Sequence, residues 1–398
     1  MKIRQTIIVG IAAAGGFLFA INSVWAQEQE QLDGNTPQKI ENVVKVQRSA
    51  EWYRAQESLW RAKVEKNPKN EEAWNNYYRA ARYGGWENDM AGHAEHLDSI
   101  VEAMCKAILN TYTASVVKFK NNGYAADNPG MGAAIDMRPD AVVDYPSFVS
   151  YLMQTGDYER MTGVLKRWYN CGEYSPALLN YAYNELVGLA PDAVIFVHGD
   201  TPTYSALMLK YGKGMRPDIT IVNVDFMAFY NEYREHIEKK LGLPSFSDRV
   251  DDGTYTFGNS YSDATDAVYR HVIENCNRPV YFSSLMEMPK FTDRLYSEGL
   301  VMRYSEKPYD NLAVKRRNYE ELYLTDYLRE SFLPESYPAS ITPLNFNYIP
   351  CFKSLLDHYK KSGNASRYNE LRNLMLRIVE QIDVPEEKKL VYYEEIDR

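Results

Sequence analysis

The stretch AVIFVHGDTPTYSALMLKYGKGMRPDITIVNVDF places His198, Asp200, Thr201, Thr203 and Tyr204 just after one apolar run, and Asn223 and Asp225 at the end of the next. The pattern reads strand, helix, strand. Both polar groups then stand at carboxyl ends of parallel strands, where open α/β sheets bind ligands. Two acids at neighbouring strand ends suit a sugar, an amine or a cation. As an acid and base pair, Asp200 and Asp225 would also suit glycan-directed or cofactor-free hydrolysis. The same residues have a structural use. Thr201 before Pro202 is a good N-cap with a first-turn proline, and Asp200 favours the positive end of a helix. Both readings stand at this level.

Other candidates carry less chemistry. His93 and His96 lie three apart on one helix face, but no further ligands have zinc spacing, so a solvated face is the expectation. The S-x-x-K of Ser115 to Lys118 and the KSG of Lys361 to Gly363 imitate penicillin-binding motifs, yet KSG follows a helical run where a strand is needed. No G-x-S-x-G, phosphate-binding loop or dinucleotide glycine fingerprint occurs. No catalytic residue, metal or cofactor is assigned.

Around the strand-end residues the pattern alternates. AVIFV and ITIVNV are short β-branched runs of the kind buried in parallel sheets, and RPVYFSS is a third. DATDAVYRHVIENC is an amphipathic helix. FTDRLYSEGLVMRYS reads as a helix stopped at Gly299 and then a fourth strand. Alternating strands and helices predict a small, mostly parallel sheet in an α/β domain over 191–305.

VHGDTPTYSALMLKYGKGMRPDITIVNVDF, RPVYFSS and LYSEGLVMRYS, in that order, resemble the soluble C-terminal part of the domain of unknown function 2723 family. That family includes O-mannosyltransferase-like multi-pass membrane proteins that also carry tetratricopeptide-like hairpins. The resemblance covers roughly a third of the chain and implies an α/β fold in an exported setting. It does not carry over catalysis. Sugar transfer there belongs to a membrane-embedded portion absent from this sequence, and the family's Asp-Asn-Asp-Thr is here Asp200-Thr201-Pro202-Thr203.

The N-terminal third contains an internal match. NPKNEEAWNNYYRAARYGGWENDM and RPDAVVDYPSFVSYLMQTGDYERM align with Pro68 on Pro139, Trp74 on Tyr145, Gly85 on Gly156 and Met90 on Met161, an offset of 71 residues. This is close to two helical hairpins of the ~34-residue tetratricopeptide type. Proline would start a helix, the aromatic would pack between helices, and glycine would end the first helix. GDY at 156–158 would be the tight turn into the second. Residues 49–190 are therefore expected to form tetratricopeptide-like hairpins. Residues 306–398 form a C-terminal helical region, whose last apolar positions (Phe352 to Ile378) make one more hairpin broken at KKSGNAS.

The first 26 residues read as a secretory signal: Lys2 and Arg4, an apolar run from Ile7 to Ile21, then Val24-Trp25-Ala26. Residues 27–48 are a linker. Cleavage removes two positive charges and no acid, taking the net charge from −9 to −11. Such a chain has no electrostatic footprint for nucleic acid, and no other stretch is apolar enough to span a membrane. Cys105, Cys171, Cys276 and Cys351 are widely spaced, so disulfides and free thiols both remain open. The sequence predicts an exported, periplasmic or extracellular, non-catalytic binding or scaffolding protein. Its partner would be an envelope protein or glycan held on a concave, tyrosine-rich surface. An enzyme acting on glycans, or an accessory subunit of an envelope glycosyltransferase, is the alternative.

Overall fold

The computed structural model describes residues 36–43, 46–85, 89–127, 130–251, 260–284, 291–330, 335, 337–382 and 384–398. The secretory signal and most of the linker lie outside them. The protein is mostly helical with one small open sheet. It forms two compact units that divide between Val164 and Leu165, so the helices of 49–190 fall in both.

The unit ending at Val164 contains α1 (Ala50–Lys66), α2 (Glu71–Gly84), α3 (Met90–Ala107), α4 (Tyr112–Asn121), α5 (Gly130–Met137), α6 (Tyr145–Thr155) and the start of α7 (Tyr158–Asn170). Ser49 and Asn70 cap α1 and α2 by accepting backbone N–H groups of Trp52 and Ala73. Tyr53, Gln56, Trp60 and Val64 recur at helical spacing on the buried side of α1. The four aligned positions have separate fates. Trp74 and Tyr145 are both buried, and Gly85 and Gly156 both end helices at positive φ (50° and 69°). The prolines do not start the helices. Pro68 lies in the turn before α2 and accepts the Trp74 indole N–H at 2.9 Å, and Pro139 precedes a 3-10 turn at Val142–Asp144. Met90 is 53% exposed while Met161 is fully buried, so these two are not equivalent.

From Leu165 onward come the rest of α7, α8 (Pro176–Val187), β1 (Val194–Val197), α9 (Asp200–Leu207), β2 (Thr220–Asn223), α10 (Val224–Phe229), α11 (Asn231–Leu241), α12 (Phe246–Asp251), α13 (Tyr261–Asn275) and β3 (Val280–Ser283). They are followed by β4 (Leu295–Ser297), β5 (Val301–Tyr304), α14 (Asn311–Arg317), α15 (Pro338–Phe346), α16 (Tyr348–Lys361), α17 (Ala365–Gln381) and α18 (Glu386–Asp397). The sheet order is β2-β1-β3-β5-β4. β1 pairs in parallel with β2 (Val194↔Thr220) and β3 (Val194↔Val280), and all three strands are buried throughout.

The expected mostly parallel sheet is instead mixed. β5 runs antiparallel to both β3 and β4. The expected helix at 291–298 is a 3-10 turn (Thr292–Arg294) followed by β4, and Gly299 sits at the tip of a β4–β5 hairpin rather than at a helix end. Its φ of 117° suits only glycine, and a Cβ there would stand 2.5 Å from the Tyr323 hydroxyl oxygen. The C-terminal pair α16 and α17 pack together as expected, burying Phe352, Leu355, Leu356, Leu371, Leu374 and Ile378.

Candidate functional site

Chain direction defines a crevice. From β1 the chain moves to β2 on one side, then crosses to β3 on the other, so the connections diverge outside the carboxyl ends of β1 and β3. Such switch points are where open α/β sheets hold ligands. Phe196 pairs with Phe282, so His198 and Ser284, each two residues on, stand at this edge.

Gly199 turns β1 into α9 with φ 71° and ψ −180°, a conformation reserved for glycine. The turn decides the fate of the next residues. The helix begins at Asp200, two residues earlier than expected, and Thr201 is not the N-cap. Gly199 holds that position without a side-chain cap. Asp200 is exposed in the first turn. The Thr201 carbonyl accepts from Ser205 Oγ at 2.7 Å and from the Tyr174 hydroxyl at 3.2 Å. Tyr204 is buried with its ring 5.5 Å from that of Trp168.

Thr203, Asn223, His198 and Asp225 do gather. The Thr203 hydroxyl donates to Gly199 O at 2.6 Å and accepts from Asn223 Nδ2 at 2.8 Å. Asn223 Oδ1 caps α10 by accepting the Phe226 N–H, and its own N–H donates to the Tyr233 hydroxyl at 3.0 Å. Asp225 Oδ2 accepts the Gly199 N–H at 3.2 Å, and Oδ1 accepts the Tyr261 hydroxyl. His198 Nδ1 lies 3.3 Å from the Tyr261 oxygen and Nε2 lies 3.8 Å from Asp225 Oδ2. With the tyrosine hydrogen spent on Asp225, its oxygen accepts from Nδ1–H. The imidazole keeps 20% side-chain exposure. The chemistry available is a preorganised hydrogen-bonding surface. Among the described residues, the Thr203 and Ser205 hydroxyls both donate to main-chain carbonyls.

Across the crevice lies a cluster the sequence reading missed. Ser283 Oγ donates to Glu185 Oε1 at 2.5 Å, and the Ser284 and Tyr181 hydroxyls stand 3.3 Å apart. Burial lifts the Glu185 carboxyl from 4.5 to about 8, with the Ser283 hydrogen bond opposing. Burial likewise lifts the Cys351 thiol to about 11, and it lowers the Lys315 ammonium, which donates to Ser354 Oγ at 2.9 Å. Signals for these residues existed. Ser283 and Ser284 end RPVYFSS much as His198 follows AVIFV, and Asn180, Asn184 and Glu185 interrupt the apolar pattern of α8.

His93 and His96 serve other partners. His93 Nε2 is 3.1 Å from Ala81 O, and His96 Nε2 is 2.7 Å from Glu57 Oε1. Among the described residues no three His, Cys, Asp or Glu side chains gather as a metal site, and no helix is long and apolar enough to cross a membrane.

Fold and site together define a mixed helical and α/β protein with a polar cluster at a strand-end switch point. No protein-family model, curated protein or solved structure matches the chain.

Proposed function

We propose that this is an exported, non-catalytic binding or scaffolding protein of the cell envelope, holding a polar partner at the carboxyl edge of β1 and β3. One observation carries the reading. The carboxylate and hydroxyls of Asp225, Tyr261 and Thr203 are bonded to one another or to backbone, leaving the part-exposed His198 ring as the group that meets a partner. Such a site recognises hydroxyl-rich ligands, glycans among them. The order of its three motifs supports a resemblance of the α/β region to the soluble C-terminal part of the domain of unknown function 2723 family. The glycine-ended α2 and α6 support reading the helices before Leu165 as tetratricopeptide-like hairpins.

The test uses the mature chain isolated from envelopes, with N-terminal sequencing expected to start at Gln27. Binding to envelope oligosaccharides and to cross-linked envelope proteins should be lost in His198→Ala, with melting unchanged. Turnover of a glycoside by wild type, abolished in the same variant, would replace this reading with the enzymatic one.

A further inference from the structure

A second recognition surface lies in the unit ending at Val164. Residues 36–43 run without helix or strand structure beside α1 and α2, and side chains of those helices take the main-chain groups of two alternate residues. Gln38 N–H donates to Gln56 Oε1 at 2.7 Å, and Gln38 O accepts the Trp60 indole N–H at 2.8 Å. Ile40 N–H donates to Asn76 Oδ1 at 2.8 Å, and Ile40 O accepts from Arg79 Nη1 at 3.1 Å. In a sheet, these are the groups a neighbouring strand would satisfy. Here four side chains stand in for that strand.

Two of the four clamp side chains, Asn76 and Arg79, are also held by groups outside the segment. Gln56 and Trp60 are one turn apart on α1, and Asn76 and Arg79 one turn apart on α2, so each pair shares a helix face. All four are buried. The Asn76 amide is oriented by donating to Glu72 O at 2.9 Å, and the Arg79 guanidinium lies 3.9 Å from the buried Asp144 carboxylate. Such a set needs an extended backbone opposite it, since buried polar groups without partners are costly.

Recognition is of the main chain, with one side-chain pocket. Ile40 is fully buried, whereas Gln38, Lys39 and Glu41 are exposed. We infer that this groove is a receptor for an extended peptide of another chain carrying an aliphatic residue at the Ile40 position, with residues 36–43 as its built-in competitor. Main-chain hydrogen bonds supply affinity and the single pocket supplies selectivity, the logic of peptides bound as added strands. A tethered competitor acts at an effective concentration near the millimolar range. Exchange therefore becomes visible when the tethered segment is weakened. The inference is independent of the strand-end site.

The experiment titrates a labelled octapeptide, TPQKIENV, against the intact mature chain by fluorescence polarisation. Ile40→Asp removes the anchor, and Gln38→Pro removes one main-chain donor at an exposed position. Either folded variant should bind the peptide at least tenfold more tightly than wild type, and adding Asn76→Ala should abolish the gain. A peptide with aspartate in place of its isoleucine should not bind, and His198→Ala should change nothing. If Ile40→Asp fails to fold, Gln38→Pro decides. Peptide affinity no greater in folded Gln38→Pro than in wild type, or binding that survives Asn76→Ala, overturns the inference. So does a wild-type dimer formed by exchange of 36–43, since it would assign the groove to a second copy.

Discussion

Ser283 donates its hydroxyl hydrogen to Glu185 Oε1 across 2.5 Å where β3 ends, with both residues shut off from water. The folded protein holds the Glu185 proton more tightly than the unfolded chain does, because burial raises the carboxyl from 4.5 to about 8. Its contribution to stability is complete below about pH 4.5 and is lost as pH rises through about 8. Denaturant unfolding at pH 5, 6, 7 and 8 should show stability falling by on the order of 3 kcal/mol. Lys210, lowered to about 8 by burial, works in the opposite sense but only above that pH. Glu185→Gln keeps an acceptor for Ser283 and should flatten the slope. An unchanged slope in this variant would mean that another group titrates.

Trp74 and Tyr145 test the helical unit. Each is buried, and Trp74 also donates to Pro68 O. Trp74→Ala and Tyr145→Ala should each cost about 3–5 kcal/mol, the usual loss for truncating a core aromatic. Melting of both variants near wild type would show that these aromatics do not bind the helices together.

The parts legible in the sequence are those set by local pattern. AVIFV, ITIVNV and RPVYF are short and mostly apolar, and they carry β1, β2 and β3. DATDAVYRHVIENC carries the period of α13. The β4–β5 hairpin was hidden because Gly299 serves equally as a helix stop and as a turn residue, and only the pairing of Leu295 with Tyr304 separates the two. The site was half visible for a related reason. Strand ends announce His198 and Asp225, but Tyr261 lies 63 residues from His198, and Ser283 lies 98 from Glu185. Partners that distant leave no trace in a local period.

The cysteines make a chemical prediction. All four are unpaired, with Cys171 exposed and the others partly buried. Burial raises the thiols of Cys105 and Cys351, the latter to about 11. Thiolates react and thiols do not, so timed alkylation followed by mass spectrometry should label Cys171 first and Cys351 last. After denaturation without reductant, four labels are expected. Two would reveal a disulfide.

Asp200 and Asp225 look alike in the sequence, each shortly beyond an apolar run, and the fold gives them different work. Asp200 is exposed in the first turn of α9, where a carboxylate gains from the helix dipole. Asp200→Asn should therefore cost about 0.3–1 kcal/mol, less at high salt. Asp225 accepts one hydrogen bond from the Gly199 N–H and another from the Tyr261 hydroxyl, tying the β1 turn to the start of α13. An amide in its place keeps one acceptor oxygen and sets an N–H₂ against a donor. Hydrogen bonds to a charged group are worth about 1.5–3 kcal/mol, so Asp225→Asn should cost at least that much. Tyr261→Phe should lose about the same. Because Tyr261 and Asp225 share one bond, the double variant should cost less than the two losses added. Melting and denaturant midpoints of the four variants measure this directly. Strict additivity, or equal losses for Asp200→Asn and Asp225→Asn, would remove the bond on which the placement of His198 depends.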